Sequence, residues 1–333
     1  MEGEMILILS DKSDAHYQYM QQRLVDRGEE VFTLDTSQFP HNFSIGYDFS
    51  DQCLEVTVGN GEKKISGKEI ASIWNRRRPP TKLPKSFSDE AVREYIVRES
   101  QIFLSSLHDM LKSPLWVSNP DSLEKASRKP YQLLVAQEMG FCVPETFIGN
   151  SVSVATEFLA SHNDIALKAI GMGAIEIRSE SCPEFDCMRM YTRRLDNNQL
   201  EAVLPQVQNC PVIIQPYVQK DFELRITVVG TKVFACAIYS QMAERTKEDW
   251  RRYDFLKTPH RAYTLPKEVE QRCLALMSTL GLMFGCIDMI VTPKGEYVFL
   301  EINPNGQWLW IERMTGMPIA DALIDMLIAG KVV

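Results

Sequence analysis

Several features that define common functional classes are missing from this sequence of 333 residues. The net charge is −8, so no basic excess points to nucleic acid or to an anionic membrane surface. No apolar run approaches the roughly 18 residues of a membrane helix. The short apolar run near the N-terminus meets Ser10 and Asp11 too early for a signal peptide. These absences predict a cytoplasmic protein that binds neither nucleic acid nor membrane.

Cysteine and histidine chemistry is also poorly represented. The eight cysteines contain no Cys-x-x-Cys pair, and the five histidines lack the spacing of a metal site. Several cysteines lie within apolar segments such as KVFACAIY and MFGCIDMI, where cysteine behaves as a small hydrophobic residue. The sequence therefore predicts reduced structural thiols, and the chemistry must come from other residues.

The chain is long enough for two or three domains, and the pattern of its segments changes along the sequence. Residues 1–115 alternate between strand-like and helix-like segments, which predicts an α/β domain that ends at the Pro-rich junction SPLWVSNPDS. Residues 116–208 mix helices and strands, and residues 209–333 are rich in strands. The overall prediction is an α+β enzyme in which an α/β domain precedes strand-rich modules.

Acidic residues interrupt a predicted hairpin whose two strands are joined by a Pro-Lys-Gly turn. Asp288 lies in the middle of an apolar strand, and Glu301 and Asn303 lie two residues apart on one face of the next strand. A buried carboxylate is costly unless it is paired or bound to a metal, and such oxygen ligands suit Mg²⁺. The alternative is an acidic pair that is neutralised by a buried base such as Arg225.

Basic residues near strand and helix ends form the second group of candidates. Lys168 lies near the end of the apolar strand IALKAI, before the glycine loop 171–173, and Lys129 opens a helix. Nucleotide phosphates would be suitable partners for both lysines, although solvated surface lysines are the alternative. Arg225 opens a strand two residues after Glu223, where it can bind a phosphate in a bidentate manner or form an edge-strand pair with Glu223.

The order of these elements resembles that of the ATP-grasp superfamily over residues 119–306. The matching residues are, in order, Lys129, Lys168, Gln215, Tyr217, Val218, Arg225, Asp288, Glu301 and Asn303. The resemblance implies an ATP-grasp fold, with two α+β subdomains that clasp ATP, after an α/β pre-ATP-grasp domain. It further implies that the lysines hold phosphates, that the segment 215–218 receives adenine and that Arg225 steadies the γ-phosphate and an acyl phosphate. The last three residues of the series would hold Mg²⁺.

A closer resemblance is to the microviridin-type (graspetide) ligases, which join Asp or Glu side chains of a ribosomal precursor peptide to Ser/Thr hydroxyls or Lys amines. It rests on the segments IWNRRRPP, FELRITVVGTKVFACAIYSQ, DWR and DMIVTPKGEYVFLEINPNGQW. It implies a precursor peptide, with a leader and an acidic core, as partner. The residues expected to face this peptide are Arg76, Arg77, Asp249 and Arg251. A homodimer is implied by the resemblance alone.

Some roles stay open at this level. Glu223 and Asp249 are both candidates for a general base, and Arg225 and Glu223 are the candidate catalytic residues. Trp308 and Trp310 either line the acceptor pocket or pack beneath the active site. Pro130, directly after Lys129, departs from the family pattern. An ATP-grasp ligase that adds free amino acids to a small molecule or to a protein C-terminus is the alternative enzyme.

Overall fold

The computed structural model describes residues 5–50, 53–60, 63–112, 114–162, 164–171, 174–179, 182–252, 254 and 256–330. The first part of the chain contains, in order, β1 (Met5–Ser10), α1 (Ala15–Asp26), β2 (Val31–Leu34), β3 (Ser44–Ser50), β4 (Cys53–Gly59), β5 (Lys64–Ser66), β6 (Ile70–Arg77), α2 (Glu90–Ser105), α3 (Leu107–Met110) and β7 (Leu115–Val117). Strands β2, β1, β6 and β7 form a parallel sheet in that order, and β3, β4 and β5 form a separate antiparallel sheet. The predicted βαβ start is therefore confirmed.

A short edge strand lies at the domain limit that the sequence predicts at residue 115. Leu115–Val117 is strand β7 and pairs in parallel with β6. A three-residue edge strand leaves almost no periodic signal within a Pro-rich segment, so it was missed. The long helix expected over residues 89–111 is also interrupted at Ser106, between α2 and α3.

The middle of the chain contains α4 (Pro120–Ala126), α5 (Lys129–Glu138), β8 (Phe147–Gly149), α6 (Val152–Ala160), β9 (Ile165–Lys168), β10 (Ala174–Ser179), β11 (Cys182–Arg189), β12 (Arg193–Leu195) and α7 (Asn197–Val203). Its antiparallel sheet has the order β12-β9-β13-β8 and borrows strand β13 (Val212–Pro216) from the following region. Strands β10 and β11 form a separate antiparallel pair. Helix α5 begins with Pro130 in its first turn, where the missing backbone N–H costs nothing.

The last part of the chain contains β14 (Phe222–Val229), β15 (Lys232–Ile238), β16 (His260–Tyr263), α8 (Lys267–Thr279), β17 (Phe284–Val291), β18 (Tyr297–Asn303), α9 (Leu309–Thr315) and α10 (Ile319–Ala329). The strands form one antiparallel sheet in the order β16-β15-β14-β17-β18. Because side chains alternate along a strand, Leu224, Ile226 and Val228 of β14 join a buried apolar cluster with α5 and α8. The opposite face of the same strand carries Glu223 and Arg225.

Helix α10 joins the two ends of the chain. Its buried residues, Leu323 among them, belong to the same apolar cluster as Ile6 of β1 and Leu24 of α1. Arg23 of α1 adds an ion pair to Asp321, with 2.7 Å between Nη2 and Oδ1. The first and last regions are therefore packed together, which no local sequence pattern indicates. Among the described residues no helix is both long and apolar enough to cross a bilayer.

Leu323→Ala is expected to lower the free energy of unfolding by about 2–5 kcal/mol, because it opens a cavity beneath the first sheet. Leu323 is fully buried, whereas Ile328 on the same helix is 39% exposed. Denaturant unfolding of both alanine variants measures the difference, and Ile328→Ala should change the free energy by about 0.5 kcal/mol or less. Equal losses in the two variants would contradict this packing of α10.

Candidate active site

A cleft of about 970 Å³, open solvent included, lies between the middle sheet and the last sheet. Its lining includes ten of the candidate site residues chosen from the sequence: Lys129, Lys168, Gln215, Tyr217, Val218, Glu223, Asp249, Arg251, Asp288 and Glu301. Residues that are far apart in the sequence thus meet at one site.

Three charged residues lie side by side on adjacent strands at the floor of this cleft. Arg225 of β14 is directly opposite Asp288 of β17, which is directly opposite Glu301 of β18. Cross-strand neighbours share a face, so the three side chains form a row. Nη1 of Arg225 donates to Oδ2 of Asp288 over 2.8 Å, and the pair is buried. The other oxygen of Asp288, Oδ1, is buried with no hydrogen-bond partner among the described residues.

The two carboxylates of this row have different electrostatic environments. Burial raises the pKa of Asp288 to about 6, against the opposing effect of Arg225. Burial also acts on Glu301, but Lys129 and Arg251 outweigh it and lower the pKa of Glu301. Lys129 Nζ lies 3.0 Å from Oε2 of Glu301, and Arg251 Nη1 lies 3.7 Å from Oε1. The anionic form of Glu301 is therefore well stabilised.

Lys168 faces the cleft from β9 and is held by residues of the neighbouring strands. Its Nζ donates to Oε1 of Gln215 over 2.7 Å, and Nε2 of Gln215 donates to Thr146 Oγ1 over 2.9 Å. Burial lowers the pKa of Lys168 to about 8. A lysine whose ammonium is this poorly solvated gains from a nearby anion. The Gln215 side chain thus orients Lys168, a role that the sequence did not indicate.

The segment after β13 forms the apolar end of the cleft. Pro216, Tyr217 and Val218 line it, and the backbone N–H of Tyr217 donates to the Asp164 carbonyl over 2.8 Å. The other apolar lining residues are Leu133, Pro144, Ala166, Ile213, Ile290 and Leu300. The cleft therefore combines apolar lining residues with the cations Lys129, Lys168 and Arg251, and this combination suits a nucleotide.

Lys220 lines the cleft and is a candidate site residue that the sequence analysis missed. Its Nζ donates to Oε1 of Glu223 over 2.8 Å and to the Glu248 carbonyl over 2.8 Å. The side chains of Lys220 and Glu223 are 4% and 5% exposed. Burial raises the pKa of Glu223. The Lys-x-x-Glu spacing in QKDFELR was the available signal, but on its own it resembles an ordinary surface pair.

Asp249 and Arg251 form a bidentate ion pair in the cleft lining. Nε and Nη2 of Arg251 donate to the two carboxylate oxygens of Asp249 over 2.8 and 2.6 Å, and the Thr192 N–H donates to Asp249 over 3.0 Å. Burial opposes ionisation of Asp249, but these hydrogen bonds prevail and lower its pKa to about 2. Asp249 is therefore a poor general base at neutral pH, contrary to one of the two expectations.

Four of the residues chosen from the sequence lie outside the cleft lining. Asn303 is exposed at the end of β18, and its Oδ1 accepts from the Asn305 N–H over 3.2 Å. Arg77 is exposed, whereas Arg76 is only 1% exposed and contacts the backbone after β18. The expectation that Arg76 faces a peptide cleft is therefore corrected, because its guanidinium is held by the backbone of Asn305 and Gly306. Arg225 contacts the cleft lining through its hydrogen bond to Asp288.

The two tryptophans after β18 pack beneath the site. Trp308 is fully buried and its ring makes edge contacts with His16 and Tyr19. Trp310 contacts Trp250, which in turn lines the cleft. Packing, the second of the two alternatives, describes Trp308. In the glycine loop 171–173 only Gly171 lies among the described residues, where it lines the cleft.

The carboxylates of Asp288 and Glu301 are the candidate ligands of a divalent cation. No group of three or more His, Cys, Asp or Glu side chains that could hold a metal occurs in the part of the chain that the structure describes. Asp288 and Glu301 supply two carboxylates, and Asn303 adds an amide oxygen at the same strand end. The partnerless Oδ1 of Asp288 is a free hard ligand. The donor set therefore fits a Mg²⁺ ion whose remaining ligands are water molecules and phosphate oxygens.

Comparisons with known proteins agree with this geometry. Residues 5–124 match the family model of the MvdD pre-ATP-grasp domain, and residues 193–327 match the RimK-like ATP-grasp domain. Among curated proteins, the tetrahydromethanopterin:alpha-L-glutamate ligase of Methanocaldococcus jannaschii is 20% identical over 218 residues, 64% of this chain and 69% of that protein.

Solved structures extend the similarity over the whole chain. A RiPP-associated ATP-grasp ligase of Chryseobacterium gregarium, in complex with ADP and a leader and core peptide, is 27% identical with a TM-score of 0.87, over 97% of this chain and 96% of that one. The macrocyclase MdnC of Microcystis aeruginosa MRC, bound with precursor peptide MdnA, is 29% identical with a TM-score of 0.82, over 98% and 99%. The macrocyclase MdnB of the same organism is 31% identical with a TM-score of 0.77, over 97% and 99%.

These similarities confirm the fold class and the family that the motifs indicated. The pre-ATP-grasp match covers the first sheet, and the ATP-grasp match covers the sheet that carries Arg225, Asp288 and Glu301. The chain belongs to the ATP-grasp ligases, in the family whose members place an MvdD-type pre-ATP-grasp domain before a RimK-like ATP-grasp domain.

Proposed function

We propose that this ligase uses ATP to activate Asp or Glu side chains of an acidic precursor peptide and joins them to Ser/Thr hydroxyls or Lys amines of that peptide. The observation that carries the proposal is that Asp288 and Glu301 line one cleft together with Lys129 and Lys168, while Arg225 is bonded to Asp288 from the adjacent strand. The similarity of this chain to peptide macrocyclases along nearly its whole length supports the choice of substrate.

The nucleotide would lie along the cleft with its base at the apolar end, at Tyr217 and Val218. Lys129 and Lys168 would then neutralise phosphate oxygens, since both line the cleft and both lie near the Glu301 carboxylate. Asp288, Glu301 and Asn303 would hold Mg²⁺, which supplies positive charge to the phosphate oxygens when bound. Arg225, fixed by Asp288, would stabilise the negative charge that develops on the transferred phosphoryl group.

In the first step a peptide carboxylate attacks the terminal phosphorus of ATP, which gives an acyl phosphate and ADP. In the second step a hydroxyl or amine attacks the acyl carbon, and inorganic phosphate leaves with the formation of an ester or amide. Arg77 and Arg251 would attract the acidic peptide, which their exposed and partly exposed side chains support. Glu223 is the better candidate to accept the proton of the nucleophile, since burial raises its pKa while Asp249 is held ionised by Arg251.

The test is an incubation of the purified enzyme with ATP, Mg²⁺ and a Thr/Ser/Lys- and Asp/Glu-rich peptide encoded next to its gene. The expected products are peptide masses lower by one or more waters, with one ADP released for each water lost. A peptide of the same composition in scrambled order is the control. ATP turnover with free glutamate and no change in peptide mass would instead favour the amino-acid-adding alternative.

That alternative has weaker support. The curated glutamate ligase is similar over 64% of this chain, whereas the macrocyclases are similar over 97% or more. The lid role of the loop 171–173, the domain limits at residues 115 and 208, the cytoplasmic location and the homodimer stay predictions.

ATP binding is expected to weaken above about pH 8, because burial lowers the pKa of Lys168 to about 8 and the neutral amine no longer attracts phosphate. Below that pH the amine is protonated and affinity should be constant with respect to this group. The loss for a single proton is at most about tenfold per pH unit. Calorimetric titration at constant Mg²⁺ measures it. Lys168→Met should bind ATP more weakly and show no such pH dependence, and an unchanged slope in this variant would contradict the assignment.

A further inference from the structure

The loop between β18 and α9, residues 304–308 and here called the connecting loop, is held from outside by the first domain. Nη1 of Arg76 donates to the Asn305 carbonyl over 2.8 Å, to Asn305 Oδ1 over 3.0 Å and to the Gly306 carbonyl over 3.1 Å. In return, Nδ2 of Asn305 donates to the backbone carbonyls of Asn75 and Arg76. Five hydrogen bonds therefore join β6 to this loop.

The far end of the connecting loop is fixed by a second residue of the first domain. Nε2 of His16 accepts from the backbone N–H groups of Trp308 and Leu309 over 3.1 and 3.2 Å. Asp14 lies between the two anchors, with Oδ1 at 3.4 Å from His16 Nδ1 and 3.6 Å from Arg76 Nε. The start of helix α1 and strand β6 thus hold the two ends of the connecting loop.

The inner side of the connecting loop rests on the active-site row. Nη2 of Arg225 donates to the Gln307 carbonyl over 3.2 Å, while Nη1 holds Asp288. A Cβ atom at Gly306 would lie 2.6 Å from Arg225 Nη2 and 2.7 Å from Sγ of Cys286. The backbone at Gly306 therefore approaches Arg225 so closely that only glycine fits without a shift.

We propose that Arg76 is a positioning residue for the ligase reaction, which acts through the connecting loop to fix Arg225 and, with it, the Asp288 carboxylate. This inference rests on the proposed function. The first domain then has a part in the chemistry itself, in addition to any contact with the peptide. Arg76 would not touch the peptide, since it is 1% exposed and does not line the cleft.

The energetics of Arg76 agree with a positioning role. Burying a guanidinium costs several kcal/mol unless it is fully paired, and apolar replacements of buried charges are often neutral or stabilising. Nε and Nη2 of Arg76 have no hydrogen-bond partner among the described residues. An apolar side chain in place of Arg76 would make the protein equally stable. The three charge-assisted hydrogen bonds from Nη1, in contrast, fix the position of the loop backbone.

The experiment compares Arg76→Met, Arg76→Lys and wild type on the precursor peptide. Arg76→Met should lower kcat about 10- to 100-fold, as loss of an indirect support does, with KM for peptide and ATP within about threefold of wild type. Arg76→Lys should recover part of kcat. Arg27→Met is the matched control: Arg27 also links the first domain to α10, through Asp325 over 2.7 Å, and its loss should leave kcat unchanged. A raised peptide KM with unchanged kcat in Arg76→Met would overturn the proposal in favour of direct peptide contact.

A second variant and a second readout keep the test independent of folding and of the substrate. Gly306→Ala leaves Arg76 intact but should lower kcat similarly, because its methyl group displaces Arg225. Hydrogen exchange of the Trp308 and Leu309 amides should accelerate in Arg76→Met even without peptide. If the wild type made no peptide product, the proposed function would fail, but the exchange measurement would still test whether Arg76 holds the connecting loop. Unchanged exchange in Arg76→Met would refute this role of Arg76.

Discussion

Glu301→Gln should reduce ATP-dependent product formation on the order of 10²–10³-fold or more while the fold remains intact. Glu301 is the carboxylate that Lys129 and Arg251 keep anionic, with the lysine at 3.0 Å. The amide keeps the shape of the side chain but removes the charge that a divalent cation requires. Single-turnover formation of ADP at saturating ATP and Mg²⁺ measures the loss.

The control for this variant is Glu296→Gln, at the turn that precedes the same strand and away from the cleft. Its Oε2 accepts from Thr292 Oγ1 over 3.2 Å, and the change should leave the rate of product formation intact. Thermal unfolding of both variants should stay close to wild type, because the Glu301 side chain is 25% exposed and its cations keep other partners. Lys129 stays bonded to the Ala169 carbonyl and Arg251 to Asp249. Full ligase activity in Glu301→Gln would refute the metal assignment.

Asp288→Asn should lose activity to a similar extent and should also destabilise the protein by about 3–5 kcal/mol. The reason is that Arg225 would remain buried without its counter-charge, since its Nη1 bonds to Asp288 over 2.8 Å. Denaturant unfolding followed by the same ADP assay separates the two effects. The size of the stability loss distinguishes this residue from Glu301.

A double variant provides the decisive comparison. Arg225→Met combined with Asp288→Leu removes both charges and should recover most of the stability that Asp288→Asn loses, while activity stays absent. Recovery of stability without activity would assign the pair to chemistry. If the double variant were as unstable as Asp288→Asn, the buried pair would instead be needed for packing. If it were active, the proposed role of Arg225 would be wrong.

Strand alternation made much of this site readable from the sequence. Asp288 in an apolar strand and Glu301 at the end of its hairpin partner were recognised because period-two patterning fixes which face each residue occupies. Their register, with Asp288 opposite Glu301, follows from the Pro-Lys-Gly turn together with a bulge after Asp288. The bulge itself could not be foreseen, because no local residue requires it.

Other features depended on partners that are distant in the chain. Lys220 looked like a surface residue until the structure placed its Nζ against the Glu248 carbonyl. Asp249 seemed a candidate base until its bidentate pair with Arg251 and the Thr192 N–H lowered its pKa to about 2. Arg76 was expected in the peptide cleft, but its neighbours on β1 and the connecting loop enclose it. The Asp249–Arg251 pair is local, whereas the contacts of Lys220, Thr192 and Arg76 join segments 28, 57 and 229 residues apart, which no local pattern encodes.

The sequence alone determined the family, the order of the phosphate-binding and acidic residues and the face on which each strand presents them, because these depend on local periodicity and spacing. The tertiary structure decided which charges neutralise one another, how α10 joins the two ends of the chain and how the first domain reaches Arg225. Those outcomes depend on contacts between groups that are 230 residues apart in Arg76 and Gly306 and 298 residues apart in Arg23 and Asp321, and burial sets both their electrostatics and their partners.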